Sequence, residues 1–308
     1  MRKRVIRKGA AAVIAALLIA AAIVMYGPVG IASEGDVETT SESTQPLSRK
    51  KPQVVRVVMT ANGFSLPQSV HAGYITFRAS TPDATGHALL GFRLRNGVTL
   101  STMMSNFKQA VSQDPATAAV GTRAVNRDGV HVGGPVVDPL TPVSVTVPLT
   151  AGTYYFFDFY ELFAPEQNVN VHTVTVYGPF TGEQPEYGAT IVATMVDGVP
   201  RFRAPDHWDT HETFLFINDS DEIHEASVSR VKPGTTDQDV QAFLDGVGPD
   251  PYLEHAIRGV GGISPGRSAL LHFDLPRGPY VLQCMVADET TGVSHAVEGM
   301  HRVVHIDD

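Results

Sequence analysis

The sequence has 308 residues, of which 43% are hydrophobic and 18% charged, with one cysteine and a formal net charge of −9. This length suits two domains with buried cores and excludes wholesale disorder. The single cysteine excludes an intramolecular disulfide and any cysteine-rich zinc or iron–sulfur site. Residues 1–33 hold five basic residues and no acid, so the rest has 18 Lys and Arg against 32 Asp and Glu, a net charge of −14. Such an acidic body argues against nucleic-acid binding.

The first 32 residues have the pattern of an export sequence. Five basic residues precede a long uncharged stretch rich in Ala, Ile, Leu and Val. This order predicts a cleaved signal peptide or a retained membrane anchor, and the sequence leaves both open. Either one places the following residues outside the cytoplasm, secreted or anchored to the membrane by the N-terminal segment. Residues 33–52 are rich in Ser, Thr and Glu, which predicts a disordered linker.

Short β-rich runs separated by Gly, Pro, Asn and Asp follow from residue 54 onward, which is typical of a β-sandwich or barrel. One helix is predicted in each half, over 100–112 and 236–244, and Thr236 with Asp239 predicts an N-terminal cap for the second. The predicted strands are 54–60, 73–79, 89–94, 143–149, 153–159, 171–177, 190–196, 213–218, 226–231, 269–275, 279–286 and 302–306.

The two halves of this β region are similar to each other. Residues 131–157 align with 258–283, and 86–100 align with 223–237. The alignment pairs Tyr154 with Tyr280 at an offset of 126 residues, which indicates a tandem repeat of whole domains. The Gly- and Pro-rich stretch 178–188 predicts the boundary, with domains over 53–180 and 188–308.

The last strand pair of the second half carries the residues that suggest chemistry. A predicted strand ends at Cys284, a loop leads to His295, and four residues separate His295 from Met300. This order resembles the copper-binding loop of the cupredoxins, the type 1 or blue copper proteins. In that family another histidine comes from an earlier strand end, and the segment FINDSDEIHEASV (216–228) nominates His224. More narrowly, the chain is similar to exported two-domain cupredoxin-like proteins of actinobacteria.

The resemblance implies an all-β fold of two tandem cupredoxin-like Greek-key sandwiches, each with a short helical insertion. It also implies one type 1 copper held by His224, Cys284, His295 and Met300. One thiolate, two imidazoles and a weak axial thioether hold copper in both oxidation states, which suits electron transfer or copper handling. Asp158 stands at the position of Cys284 in the first half, so the first domain is expected to lack copper ligands.

One departure from the family pattern supports an alternative. Ten residues separate Cys284 from His295, whereas the family usually has fewer. A copper-free pair of sandwiches, serving as a structural or partner-binding protein at the cell surface, is therefore the second hypothesis. It predicts that His295 lies away from Cys284.

Enzymatic activity has no support in the sequence, and the chain is expected not to be an enzyme. No His-x-His pair and no Gly-x-Ser-x-Gly motif occurs, and Gln283 and Met285 flank Cys284 where multicopper enzymes place histidines. The expected partner is an unidentified redox or surface protein, with membrane contact through the N-terminal segment if that segment is retained.

Overall fold

The computed structural model describes residues 51–307, and the predicted signal or anchor and nearly all of the predicted linker lie outside this range. Seventeen strands are described there. No helix within residues 51–307 is long and apolar enough to span a membrane. The strands are β1 (Gln53–Val58), β2 (Ser69–Ser80), β3 (His87–Leu94), β4 (Gly129–Gly133), β5 (Pro135–Val137), β6 (Val143–Leu149), β7 (Gly152–Asp158), β8 (His172–Thr181), β9 (Ala189–Val196), β10 (Val199–Arg203), β11 (His207–Asp209), β12 (Thr213–Asp219), β13 (His224–Arg230), β14 (Arg258–Ile263), β15 (Ser268–Phe273), β16 (Gly278–Gln283) and β17 (His301–Asp307).

The strand pairing of the first half is repeated in the second. In the first half β1 runs parallel to β2, β2 pairs antiparallel with β6, and β7 pairs antiparallel with both β3 and β8. In the second half β9 runs parallel to β12, β12 pairs antiparallel with β15, and β16 pairs antiparallel with both β13 and β17. Each half is therefore a two-layered Greek-key sandwich of the cupredoxin type, as predicted.

Two equivalent tyrosines show the repeat at the level of side chains. The Tyr154 hydroxyl donates to the Thr150 carbonyl at 3.1 Å, and the Tyr280 hydroxyl donates to the Pro276 carbonyl at 2.9 Å. Both tyrosines are fully buried in one apolar core that includes residues of both halves. A buried phenol needs a partner for its O–H, and both halves supply it from the same place, four residues back along the chain.

Strands of the two halves also pair with each other. β6 of the first half pairs antiparallel with β15 of the second. β14 of the second half pairs antiparallel with β4 and β5 of the first. A buried ion pair between Asp138 and Arg258 also links the halves. β8 ends at Thr181 and β9 begins at Ala189, so the connection lies at the predicted boundary, while the division into domains stays a prediction.

All twelve predicted strands are present, although their ends shift by up to a few residues. Strands β4, β5, β10, β11 and β14 were not predicted. They are short or rich in glycine, which has low β propensity.

The two predicted helices are α1 (Leu100–Ala110) and α3 (Asp237–Leu244), and Thr236 and Asp239 form a reciprocal capping box on α3. A third helix, α2 (Pro115–Asp128), was missed. Its start was readable, because Asp114 accepts from the Thr117 N–H as N-cap and Pro115 is the first helical residue. The first half therefore has two helices where one was predicted.

Candidate metal centre

The strands of the second half bring two candidate ligands side by side. His224 begins β13, Cys284 directly follows β16, and the two strands pair antiparallel. The turn before His224 is held by the fully buried Asn218, whose amide donates to the carbonyls of Glu222 at 2.7 Å and Ile263 at 2.9 Å. This turn was quoted in the sequence analysis, but the role of Asn218 in holding it was not recognised.

Both imidazoles present the same ring nitrogen to the sulfur of Cys284. The distance from Cys284 Sγ to His224 Nδ1 is 3.6 Å and to His295 Nδ1 is 3.5 Å. Metal–sulfur and metal–nitrogen bonds of about 2.3 and 2.0 Å that meet at a tetrahedral or trigonal angle span about 3.5 to 3.7 Å. The three side chains are fully buried, and their spacing therefore fits one shared metal ion.

Backbone hydrogen bonds link Met300 to two of the other candidate ligands. The Met300 N–H donates to the His295 carbonyl at 2.8 Å, and the Cys284 N–H donates to the Met300 carbonyl at 3.3 Å. The Met300 side chain is fully buried in the same core as Cys284. His224, Cys284 and His295 thus form one cluster, to which Met300 is joined by backbone hydrogen bonds, and this set resembles a type 1 copper site.

The long loop between Cys284 and His295 folds into a small hairpin. Ala287 and Ser294 form an antiparallel bridge, and the Asp288 N–H donates to the Val293 carbonyl at 2.8 Å. The His295 N–H then donates to the Val286 carbonyl at 2.9 Å. The additional residues therefore leave the site and return to it, and His295 does not lie away from Cys284 as the copper-free hypothesis predicts.

Hydrogen bonds fix the cysteine sulfur and its strand. The Glu225 N–H donates to Cys284 Sγ at 3.5 Å. The Glu225 carboxylate accepts from the Met285 N–H at 2.9 Å, so one residue supports both sides of Cys284. Burial raises the pKa of this carboxyl above its ordinary value, and the hydrogen bonds from Met285 and Ser227 oppose the rise.

The two histidines have opposite charge preferences. Burial, followed by the charge of His295, lowers the pKa of His224 to about 3, so His224 is neutral. Burial also disfavours a charge on His295, but the hydrogen bonds and charges of Cys284 and Glu222 outweigh it and raise the pKa of His295 to about 10. A metal ion bound at Nδ1 of His295 would take the place of a proton on that atom.

Glu222 covers the outer edge of His295. Its carboxylate accepts from His295 Nε2 at 3.1 Å and from the Glu289 N–H at 3.0 Å. The His295 side chain has no exposed surface, and Glu222 is 16% exposed. Oxygen atoms of Glu222 and Asp288 lie within 4.8 Å of each other and of a His295 nitrogen. A carboxylate on the second ring nitrogen fixes the orientation of a ligand histidine and raises its basicity.

Helix α2 of the first half clasps this part of the second half. The Asn126 amide donates to Glu289 Oε1 at 2.7 Å and to the Asp221 carbonyl at 3.0 Å, and Arg123 donates to the Glu289 carbonyl. Gly292 has φ of +69°, and a side chain there would collide with the carbonyl of Pro115. Glu222, Glu289 and Asn126 were all missed, because no sequence motif links α2 to the loop.

The first half has a buried histidine–aspartate pair where the second half has the cluster. His87 Nδ1 lies 2.5 Å from Asp158 Oδ2, and the Ala88 N–H donates to Asp158 Oδ1 at 3.0 Å. His87 Nε2 is 3.1 Å from the carboxylate of Asp83. Within residues 51–307, groups of three or more His, Cys, Asp and Glu side chains with ligand atoms inside 4.8 Å occur only in the second half.

No protein-family model and no curated protein sequence matches the chain. Solved structures with similar folds include auracyanin A, a "blue" copper protein from Chloroflexus aurantiacus, at 15% identity and a TM-score of 0.29, covering 41% of this chain and 100% of that one. Rusticyanin matches at 18% identity and a TM-score of 0.24, covering 38% of this chain and 76% of that one. The cupredoxin-like fold of this chain rests on its own strand pairing.

One expectation is corrected by these comparisons. The McoA multicopper oxidase from Aquifex aeolicus matches at 9% identity and a TM-score of 0.25, covering 83% of this chain and 66% of that one. A second multicopper oxidase covers 82% of this chain at 12% identity and a TM-score of 0.23. Because the similar solved structures include enzymes, the expectation that the chain is not an enzyme was wrong as an exclusion. Missing His-x-His pairs exclude one type of copper cluster, not activity as such.

Proposed function

We propose that this chain is an exported cupredoxin-like protein whose second half binds one copper ion for electron transfer or copper handling. The observation that carries the proposal is the convergence of Cys284 Sγ with Nδ1 of His224 and His295 in a fully buried cluster. Copper bound there would supply one-electron redox chemistry.

The surrounding protein supports this function by holding the ligands still. His224 and Cys284 are fixed by paired strands, and His295 is fixed by its backbone bond to Val286 and its side-chain bond to Glu222. A ligand set that is held in place changes little between two oxidation states, which lowers the cost of moving an electron. Met300 would be a fourth, weak ligand through its thioether sulfur.

The test is the visible spectrum of the full chain loaded with Cu(II). A thiolate bonded to Cu(II) gives an intense charge-transfer absorption, so the wild type should be strongly coloured with one copper per chain. Cys284→Ser should abolish the colour. Ser294→Ala, which changes one atom of the same loop, should keep it. A colourless wild type that takes up no copper would overturn the proposal in favour of a structural or partner-binding protein.

Export and attachment are a separate part of the proposal. The basic and apolar order of residues 1–33 supports it. The intact mass of the chain in membrane and soluble fractions would distinguish a retained anchor from a cleaved signal. Recovery of the uncleaved chain in the cytoplasm alone would contradict export.

A further inference from the structure

Three arginines meet in a groove between the two halves. Arg93 lies near the end of β3, Arg95 follows it, and Arg267 lies in the turn between β14 and β15. The groove has a volume of about 280 Å³, and its other lining residues are Leu94, Asn96 and Val130. It therefore draws its positive charge from both halves.

The three guanidinium groups have no acidic partner. No carboxylate of residues 51–307 lies within 4.0 Å of any of them, although other arginines pair with acids, as Arg258 does with Asp138 and Arg302 with Asp206. Arg93 donates to the Thr150 hydroxyl at 3.1 Å and lies 5.3 Å from the centre of the Tyr154 ring. Unpaired arginines are unexpected in a chain with 32 acidic residues and 23 basic ones.

The three charges oppose one another. Burial, together with the charges of Arg93 and Arg95, lowers the pKa of Arg267 below its ordinary value, while Tyr154 opposes the shift. The strand pairing of β14 with β4 and β5 holds Arg267 beside the first half. Like charges held together without a counter-charge are an electrostatic cost that a bound anion would remove.

We propose that this groove binds a small multivalent oxyanion, with phosphate and citrate-like carboxylates as the two candidate sources. The planar guanidinium has donors in a fork that matches phosphate and carboxylate oxygens. Arg267 is half-buried and Arg95 is exposed, so the groove offers one partly desolvated and one solvent-accessible guanidinium to a ligand. Arg93 lies six positions along β3 from His87, about 20 Å of strand. The anion site is thus distinct from the His87 and Asp158 pair.

The test is isothermal titration of the full chain with inorganic phosphate and, separately, with citrate at constant ionic strength. Wild type should bind at least one of the two probes with one ligand per chain. Arg95→Gln and Arg267→Gln should each weaken binding at least fivefold. Arg203→Gln removes the same charge from an exposed position on β10 and should change binding less than twofold.

The two probes distinguish the source of the anion. Tighter binding of phosphate would identify a phosphoryl ligand, and tighter binding of citrate would identify a carboxylate ligand. Arg95→Lys keeps the charge but loses the fork, so it should bind more weakly than wild type and more tightly than Arg95→Gln. Saturable binding of neither probe, or equal weakening by Arg203→Gln, would overturn the proposal. Because Arg95 is exposed, its variants remain interpretable even if Arg267→Gln fails to fold.

Discussion

The two halves place different chemistry on the same backbone frame. In each half a histidine begins one strand, an acidic or thiol side chain follows or ends the neighbouring strand, and the N–H after the histidine donates to that side chain. The first half has the carboxylate of Asp158 there, and the second has the sulfur of Cys284. The fold therefore places a polar side chain at the same position in both halves. In the first half this side chain is a carboxylate paired with His87, and in the second half it is a thiol between two imidazoles.

The largest effect is expected from exchanging Asp158 and Cys284 between the two halves. Cys284→Asp should remove the charge-transfer absorption of the Cu(II)-loaded protein completely, because a carboxylate oxygen replaces the sulfur. The N–H of Glu225 can still donate to the new carboxylate, so the fold should persist. Visible absorption and the unfolding midpoint would check both expectations.

The reverse exchange serves as the control. Asp158→Cys, placed in the Cys284→Asp background, should stay colourless, because the residues after Asp158 form a short 3-10 helix, Phe159–Phe163, and not a loop that returns a histidine. Strong colour in that double variant would show that the two sites differ only in the donor atom.

The carboxylate on His295 offers the next largest effect. Glu222→Gln removes the charge behind the ring while keeping a side chain of the same shape, and loss of such an outer partner costs about 10–100-fold in metal affinity. Competition with a copper chelator would measure this change. Asp221→Asn removes a charge next to it from an exposed position and should change affinity far less. Equal effects of the two variants would mean that Glu222 acts only through general electrostatics.

The clasp by α2 tests whether the second half depends on the first. Asn126→Ala deletes two hydrogen bonds, one of them to a carboxylate, and should lower the free energy of unfolding by about 2 kcal/mol. It should also speed hydrogen exchange in the 287–294 hairpin. Asn168→Ala, at an exposed position, is the matched control. Unchanged exchange in the hairpin would show that α2 does not stabilise it.

The smallest expected change in the free energy of unfolding concerns His87 and Asp158 of the first half. Burial disfavours a charge on His87, but the hydrogen bonds and charges of Asp158 and Asp83 outweigh it and raise its pKa above 6.5. The stabilisation is then fully present below pH 6.5 and is lost as the pH rises through the folded-state pKa. The stability difference between wild type and His87→Gln, about 1 kcal/mol, should therefore shrink with rising pH in urea unfolding. A stability difference between wild type and His87→Gln that does not change with pH would contradict the raised pKa of His87.

The strands were predictable from local patterns, and the candidate ligands from the resemblance of their order to the copper-binding loop of the cupredoxins. Alternating apolar runs identify strands, and the order of Cys284, His295 and Met300 survives in the linear sequence. The internal repeat then identified Asp158 as the counterpart of Cys284, which the equivalent N–H donations of Ala88 and Glu225 now show in space.

Contacts between distant segments were not predictable from the same patterns. Asn126 and Glu289 are 163 residues apart in sequence, and nothing in either segment points to the other. The hairpin within the Cys284–His295 loop was missed for a different reason: the additional residues looked like a disturbance of the site, whereas their turns are closed by backbone bonds of their own. Arg267 likewise joins Arg93 and Arg95 only through the packing of the halves.

The pairing of β6 with β15 gives the first half a structural role that needs no copper ligands. Each of these strands would otherwise be the open rim of its sheet, with a row of unsatisfied backbone groups able to recruit another chain. Within the molecule each rim is sealed by the other half. A second half produced alone would therefore be prone to self-association, because the first half no longer covers the edge strand β15.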